Sequence, residues 1–218
     1  RKQDIIDSRV NSMKLITSVV KKKNIQLKSF VGASAIGIYG MTTSETIFTE
    51  TDIGKDDFLR QSCSQWENSY REIQTLSNKN TIIRIGVVLS KDGGALKRLL
   101  PLFQLGLGSA VGSGKQYMPW IHIDDLVSIF NEALFTSNYS GIYNAVSIEE
   151  TTSNSFSKHL AKSLSKPFFL PRVPAFALKL VFGEMANVLL EGSRVSNKKL
   201  VNEGFQFKYP TLFEALRE

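Results

Sequence analysis

The stretch from Thr81 to Leu89 places Ile82, Ile83, Ile85, Val87 and Val88 on both alternating faces of what can only be a strand. A strand that is apolar on both faces has to be covered on both, which is the situation of a parallel sheet between layers of helices. The flanking patterns agree. Residues 4–23 carry Ile6, Val10, Met13 and Val20 at helical spacing, and Leu27 to Ala35 reads as a second buried strand. Leu59, Cys63, Trp66, Tyr70 and Ile73 form one stripe and predict a helix over 57–77. Gly93-Gly94 ends the Thr81–Leu89 strand, and a helix follows over 95–105. Further along come a short strand around 117–123, a helix over 125–136 that Asp124 can cap, a strand over 142–146 and a helix over 153–164. Such alternation of strand and helix predicts an α/β fold around a parallel sheet.

With 218 residues the chain is long enough for one large domain, or for one domain with a small lobe. Pro167, Pro171 and Pro174 mark the change, so the expected division is 1–165 and 166–218, the second part mostly helical. The single cysteine, Cys63, has no partner for an internal disulfide, and a cytoplasmic location is the default expectation. The net charge of +7 raises the question of nucleic acid, but the run Lys21-Lys22-Lys23 closes a helix, where cations suit the dipole, and no aromatic residues are interleaved with it. No nucleic-acid partner is expected. The most apolar segment, 174–190, is interrupted by Lys179 and Glu184 and is read as a buried helix rather than a membrane span, with Glu184 read as serving a buried arginine in preference to contacting a substrate. Two histidines and one cysteine do not suggest a metal site.

The most specific short stretch is Gly32-Ala33-Ser34-Ala35-Ile36-Gly37-Ile38-Tyr39-Gly40. Small residues at the C-terminal end of a strand let a ligand approach the backbone. Ser34 could there meet a carbonyl or hydroxyl, or it could simply end the strand. Read another way, Ser34 with Asp124 or Asp125 and then His159 follows the chain order of a Ser–Asp–His hydrolase, but Ile36 stands where the strained turn of that elbow requires glycine.

This stretch resembles the strand-end Ser-Ser-x-x-x-Tyr-Gly motif of extended short-chain dehydrogenases, which lies beside the nicotinamide ring. Aligned without a gap, Ala35 takes the usual serine position, and Ser34 reaches it only after a one-residue adjustment. Gly93-Gly94-Ala95, Leu105-Gly106-Leu107-Gly108, Gly112-Ser113-Gly114-Lys115-Gln116 and Trp120-Ile121-His122-Ile123-Asp124-Asp125 resemble the "epimerase family" of atypical short-chain dehydrogenases. Gly192-Ser193-Arg194-Val195, Gly204-Phe205 and Phe207-x-Tyr209-Pro210 resemble the small domain that ends those proteins. The resemblance implies the C-terminal part of a Rossmann-like parallel sheet with a small, mostly helical C-terminal lobe. It also implies an NAD(P)-dependent oxidoreductase or epimerase acting on a small or sugar-like molecule. Ser34 and Tyr39 are the implied catalytic residues, and Ala33, Ser34, Gly86 and Val87 the implied cofactor contacts.

Two features of that family are missing. No Gly-x-x-Gly-x-x-Gly turn, the element that holds the dinucleotide pyrophosphate and carries the NAD-or-NADP choice downstream, occurs in the sequence, so an N-terminally truncated chain with an unpaired strand edge beside Leu27–Ala35 is expected. The acid–base pair Tyr-x-x-x-Lys is absent as well, since the residues four places after the six tyrosines are Thr43, Gln74, Ile121, Tyr143, Ser147 and Phe213. The matching helical turn holds Leu59 and Cys63. A dinucleotide-binding sensor or scaffold without turnover is the alternative that this absence leaves open.

Overall fold

A computed structural model describes residues 2–136 and 138–218, without the side chains of Ala95, Val181, Phe182, Glu184 and Met185. The role expected for Glu184 therefore lies outside the described residues.

The chain opens with helix α1 (Lys2–Lys22), strand β1 (Phe30–Ala35) and a single 3₁₀ turn (Ile36–Tyr39), followed by β2 (Ile47–Phe48). Helices α2 (Phe58–Asn68) and α3 (Arg71–Gln74) lead to β3 (Asn80–Ile85), β4 (Val87–Ser90) and α4 (Gly94–Gln104). Then come β5 (Trp120–His122), α5 (Ile123–Phe135), β6 (Gly141–Ala145) and α6 (Ser153–Ser163). The last part contains α7 (Ala175–Phe182), a 3₁₀ turn (Gly183–Ala186), α8 (Asn187–Leu190), β7 (Arg194–Val195), α9 (Lys198–Asn202) and α10 (Leu212–Ala215).

The main sheet is parallel, with strand order β1-β3-β6. Among the described residues β1 pairs with β3 on one side only. Ile83 and Ile82 of β3 point to opposite faces and enter different cores: Ile83 packs with Ile129, Ala133, Tyr143 and Leu200, and Ile82 with Met13, Val20, Tyr70 and Ile73. Covering both faces in this way is what the doubly apolar sequence of β3 required.

The predicted strand over 81–89 is in fact two strands. Gly86 separates them, and β4 leaves the main sheet to pair in parallel with β5. A Cβ on Gly86 would stand 2.7 Å from the Pro119 carbonyl oxygen, so the chain can turn there only because the side chain is absent. The predicted helix over 57–77 also divides, at Ser69–Tyr70, although Tyr70 and Ile73 stay buried on the same side. Asp57 caps α2 by accepting from the Arg60 N–H.

The polar segment after β1 is less irregular than its composition suggests, because β2 pairs in parallel with β7. The cap of α5 is His122, not Asp124: its ring nitrogen Nδ1 accepts from the Asp124 N–H at 3.2 Å. The last residues share the cores of the rest of the chain, Leu200 and Phe205 beside Ile83 and Ile121, and Tyr209 and Leu212 beside Trp120 and Leu160. No helix among the described residues is long and apolar enough to cross a membrane.

Candidate active site

Parallel register places Ser34, Arg84 and Asn144 side by side on β1, β3 and β6. A charged residue inside an apolar strand needs a partner, because an unpaired buried charge costs several kcal/mol, roughly 3–5. The partner comes from α2. Arg84 Nε donates to Glu67 Oε1 at 2.9 Å and Nη2 donates to Oε2 at 3.1 Å. Both side chains are shielded, with exposures of 7% and 13%. Burial works against the guanidinium charge, but the Glu67 carboxylate outweighs it and holds the Arg84 pKa above its ordinary value.

The two hydroxyls expected to be catalytic belong to this same network. Ser34 Oγ donates to Glu67 Oε1 at 2.6 Å. Tyr39 OH donates to Asn144 Oδ1 at 2.7 Å and accepts from Arg84 Nη1 at 3.1 Å. Ser34 is 1% exposed and Tyr39 0%. Burial raises the Tyr39 pKa, with Arg84 opposing it, so the phenol is neutral near pH 7. Arg84 Nη1 also donates to the Glu50 carbonyl oxygen at 2.9 Å, while the Glu50 carboxylate accepts from the Asn144 N–H at 2.9 Å. Asn144 Nδ2 donates to the Ser196 carbonyl at 3.0 Å. One buried network thus ties the ends of three strands to α2, the 3₁₀ turn, the segment after β2 and the residue that follows β7.

The expected cofactor contacts sit at the same ends of the strands, with their backbone groups already engaged. The Ala33 carbonyl accepts from Tyr70 OH at 2.5 Å. Gly86 N donates to the Ala145 carbonyl at 3.1 Å, and Val87 N to the Pro119 carbonyl at 2.8 Å. Leu59 and Cys63, the residues that the sequence resemblance matches to the Tyr–Lys turn, pack against Gly37, whose Cβ position lies 3.3 Å from Cys63 Sγ and 3.5 Å from Leu59 Cβ. Burial, with the nearby Glu67 charge, pushes the Cys63 thiol up to about 11.

The hydrolase reading does not survive this geometry. Ser34 bonds Glu67, His159 Nδ1 bonds the Ser155 carbonyl within α6, and Asp124 pairs with Lys208. Glu67, Arg84, Glu50 and Asn144 were not among the residues expected at the site. Of these, Arg84 carried a readable signal, an arginine flanked by isoleucines in a doubly buried strand.

Residues 173–218 match the family described as "Domain of unknown function (DUF1731)". The chain is 38% identical to the "Epimerase family protein SDR39U1 homolog, chloroplastic" of Arabidopsis thaliana, covering 99% of this chain and 62% of that protein. It is 32% identical to the mouse "Epimerase family protein SDR39U1", covering 99% of this chain and 73% of that one. The crystal structure of human epimerase family protein SDR39U1 (isoform 2) with NADPH superposes with a TM-score of 0.92 at 30% identity, over 99% of this chain and 73% of that one. A UDP-glucose 4-epimerase from Thermotoga maritima, at 17% identity and a TM-score of 0.72, shares the fold. The apolar two-faced strand, its Rossmann-like neighbours and the C-terminal motifs therefore have one common explanation: this chain belongs to the SDR39U1 epimerase family.

Proposed function

We propose that this protein is an NAD(P)-dependent oxidoreductase or epimerase-like protein that holds the nicotinamide end of its dinucleotide against the C-terminal ends of β1 and β3. The observation carrying this is the convergence of parallel strands at Ala35 and Ile85, the position where open α/β sheets place ligands, in a fold whose human relative was crystallised with NADPH. The residues present fit one wall of such a site. The small residues Ala33 and Ala35 leave the backbone partly accessible, whereas Gly32 is buried against the Tyr70 ring, and the Ala33, Gly86 and Val87 backbone groups already have partners. Their contribution to the nicotinamide is therefore shape rather than hydrogen bonding. The pyrophosphate has no glycine-rich turn to bind among these 218 residues.

When bound, the dinucleotide supplies or accepts a hydride. Ser34 and Tyr39 act on that reaction by position: through Glu67 and Arg84 they fix the strand ends and the 3₁₀ turn. The substrate is a small molecule, with a sugar-like one the first choice to test.

A second reading, a dinucleotide-binding sensor or scaffold, is favoured by one specific observation. Leu59 and Cys63, which the family resemblance matches to the acid–base turn, are apolar or buried side chains packed against Gly37. Titration of the full-length gene product with NADPH and NADH, followed by an absorbance screen at the nicotinamide band over nucleotide sugars and small carbonyl compounds, separates the two. Binding with turnover supports the enzyme, binding without turnover the sensor, and failure to bind either dinucleotide rejects both.

A further inference from the structure

The network around Arg84 leaves a different part of the molecule unexplained. At the C-terminal ends of β4 and β5 lies a cavity of about 320 Å³, and none of Ser34, Tyr39, Glu67, Arg84 or Asn144 lines it. Leu96 and Leu100 of α4 and Leu160 of α6 form apolar walls, and His122 joins them. This volume is at the lower end for small-molecule sites, which run from roughly 300 Å³ upward.

His122 is the informative residue. It is 6% exposed, and the Tyr209 ring lies against it with centroids 4.0 Å apart. Its Nδ1 accepts from the Asp124 N–H, so the ring hydrogen sits on Nε2. Nε2 makes no hydrogen bond to any described residue, yet it is not among the side-chain atoms sealed from solvent without a partner. The open space that His122 lines is the cavity. Burial holds its pKa below the ordinary value of 6.5, which keeps the ring neutral and donating at pH 7.

The rim carries both signs of charge. Lys91 Nζ donates to the Glu218 main-chain oxygen at 3.2 Å, and the Arg217 guanidinium rests over the Phe213 ring at 5.2 Å, with no ion pair among the described residues. Asp124 is neutralised by Lys208 at 2.9 Å, whereas Asp92 and Glu218 form no ion pair among the described residues. Cations, carboxylates, a neutral N–H donor and apolar walls together match one ligand chemistry.

The geometry points to a second small-molecule site here, taking an apolar zwitterion of amino-acid size. Its carboxylate meets the His122 Nε2–H and the Lys91 and Arg217 cations, its ammonium meets Asp92 and Glu218, and its side chain lies between Leu96, Leu100 and Leu160.

The test is a titration of the ¹⁵N-labelled protein with L-phenylalanine, 3-phenylpropanoate and 2-phenylethylamine, following the amides of Lys91 and Asp124. L-Phenylalanine should give saturable shifts, and each analogue, lacking one charge, should bind at least about tenfold more weakly. Leu100→Trp, which fills the cavity, and His122→Asn, which keeps a side-chain acceptor for the cap but loses the Nε2–H, should each weaken binding by a similar factor. If His122→Asn does not fold, Leu100→Trp decides the matter. No saturable shift up to about 10 mM, which corresponds to roughly −3 kcal/mol of binding, would overturn the proposal. So would analogues that bind as well as L-phenylalanine, or undiminished binding in a folded Leu100→Trp protein.

Discussion

Arg84 and Glu67 face each other two-on-two, Nε to Oε1 at 2.9 Å and Nη2 to Oε2 at 3.1 Å, across the boundary between β3 and α2. Everything else in the strand-end network hangs from this pair: Ser34 donates to the same carboxylate, and Tyr39 accepts from the same guanidinium. Removing one partner leaves the other buried and uncompensated. Glu67→Ala should therefore destabilise the fold by about 3–5 kcal/mol, whereas Tyr39→Phe, which removes only a hydroxyl, should cost about 1–3. Urea unfolding of the two variants measures the difference, and equal losses would show that the ion pair does not organise the network.

Position 54 tests a close approach. A Cβ on Gly54 would stand 2.0 Å from the Tyr39 carbonyl oxygen, while one on Gly93 would meet nothing within 4 Å. Gly54→Ala should lower stability by about 1–3 kcal/mol, the usual range for overpacking. Gly93 has extended backbone, φ −160, that any residue adopts, so Gly93→Ala should change stability little. Thermal unfolding midpoints read both.

Much of this architecture is visible in the sequence, and the parts that are not have physical reasons. β3 and α2 announce themselves through their apolar spacing, because burial there repeats with the period of the element. The break at Gly86 does not, since Ile85 and Val87 continue the apolar run and the reason for the turn is Pro119, far along the chain. The division between α2 and α3 is hidden in the same way, because Tyr70 and Ile73 remain buried on the stripe that the helix began. The β2–β7 pair is two residues long on each side, too short to leave a pattern. At the site, Ser34 and Tyr39 could be picked out from their motif, but not the fact that both hydroxyls turn inward. That depends on Glu67 and Asn144, which only the register and the packing of α2 bring to them.

Cys63 should be slow to react. Its thiol is buried and pushed up to about 11. Against an ordinary thiol of pKa about 8.5, the thiolate population at pH 8 falls by on the order of a hundredfold, and modification by an aromatic disulfide reagent should slow at least as much relative to the unfolded chain. Labelling at the unfolded-chain rate would place Cys63 outside the packing against Gly37.

His122 gives a pH dependence whose sign follows from its burial. Its folded-state pKa lies below the ordinary 6.5, so the unfolded chain binds the proton more readily. The contribution to stability is present above pH 6.5 and is lost as the pH falls from there through the folded-state value. A proton NMR titration of His122 should give a midpoint below 6.5, and the unfolding midpoint of His122→Asn should vary less over this interval than that of the parent. A midpoint at or above 6.5 would contradict the buried, neutral ring.

The account rests most on the strand ends being the nicotinamide wall, and a crystal structure of the full-length gene product with NADPH tests that directly. The nicotinamide ring is expected in van der Waals contact with the backbone between Ala33 and Tyr39 and with Gly86–Val87, with the Arg84–Glu67 pair unbroken beneath it. A ring bound elsewhere, or one that draws the Ser34 hydroxyl away from Glu67 to itself, would contradict the account.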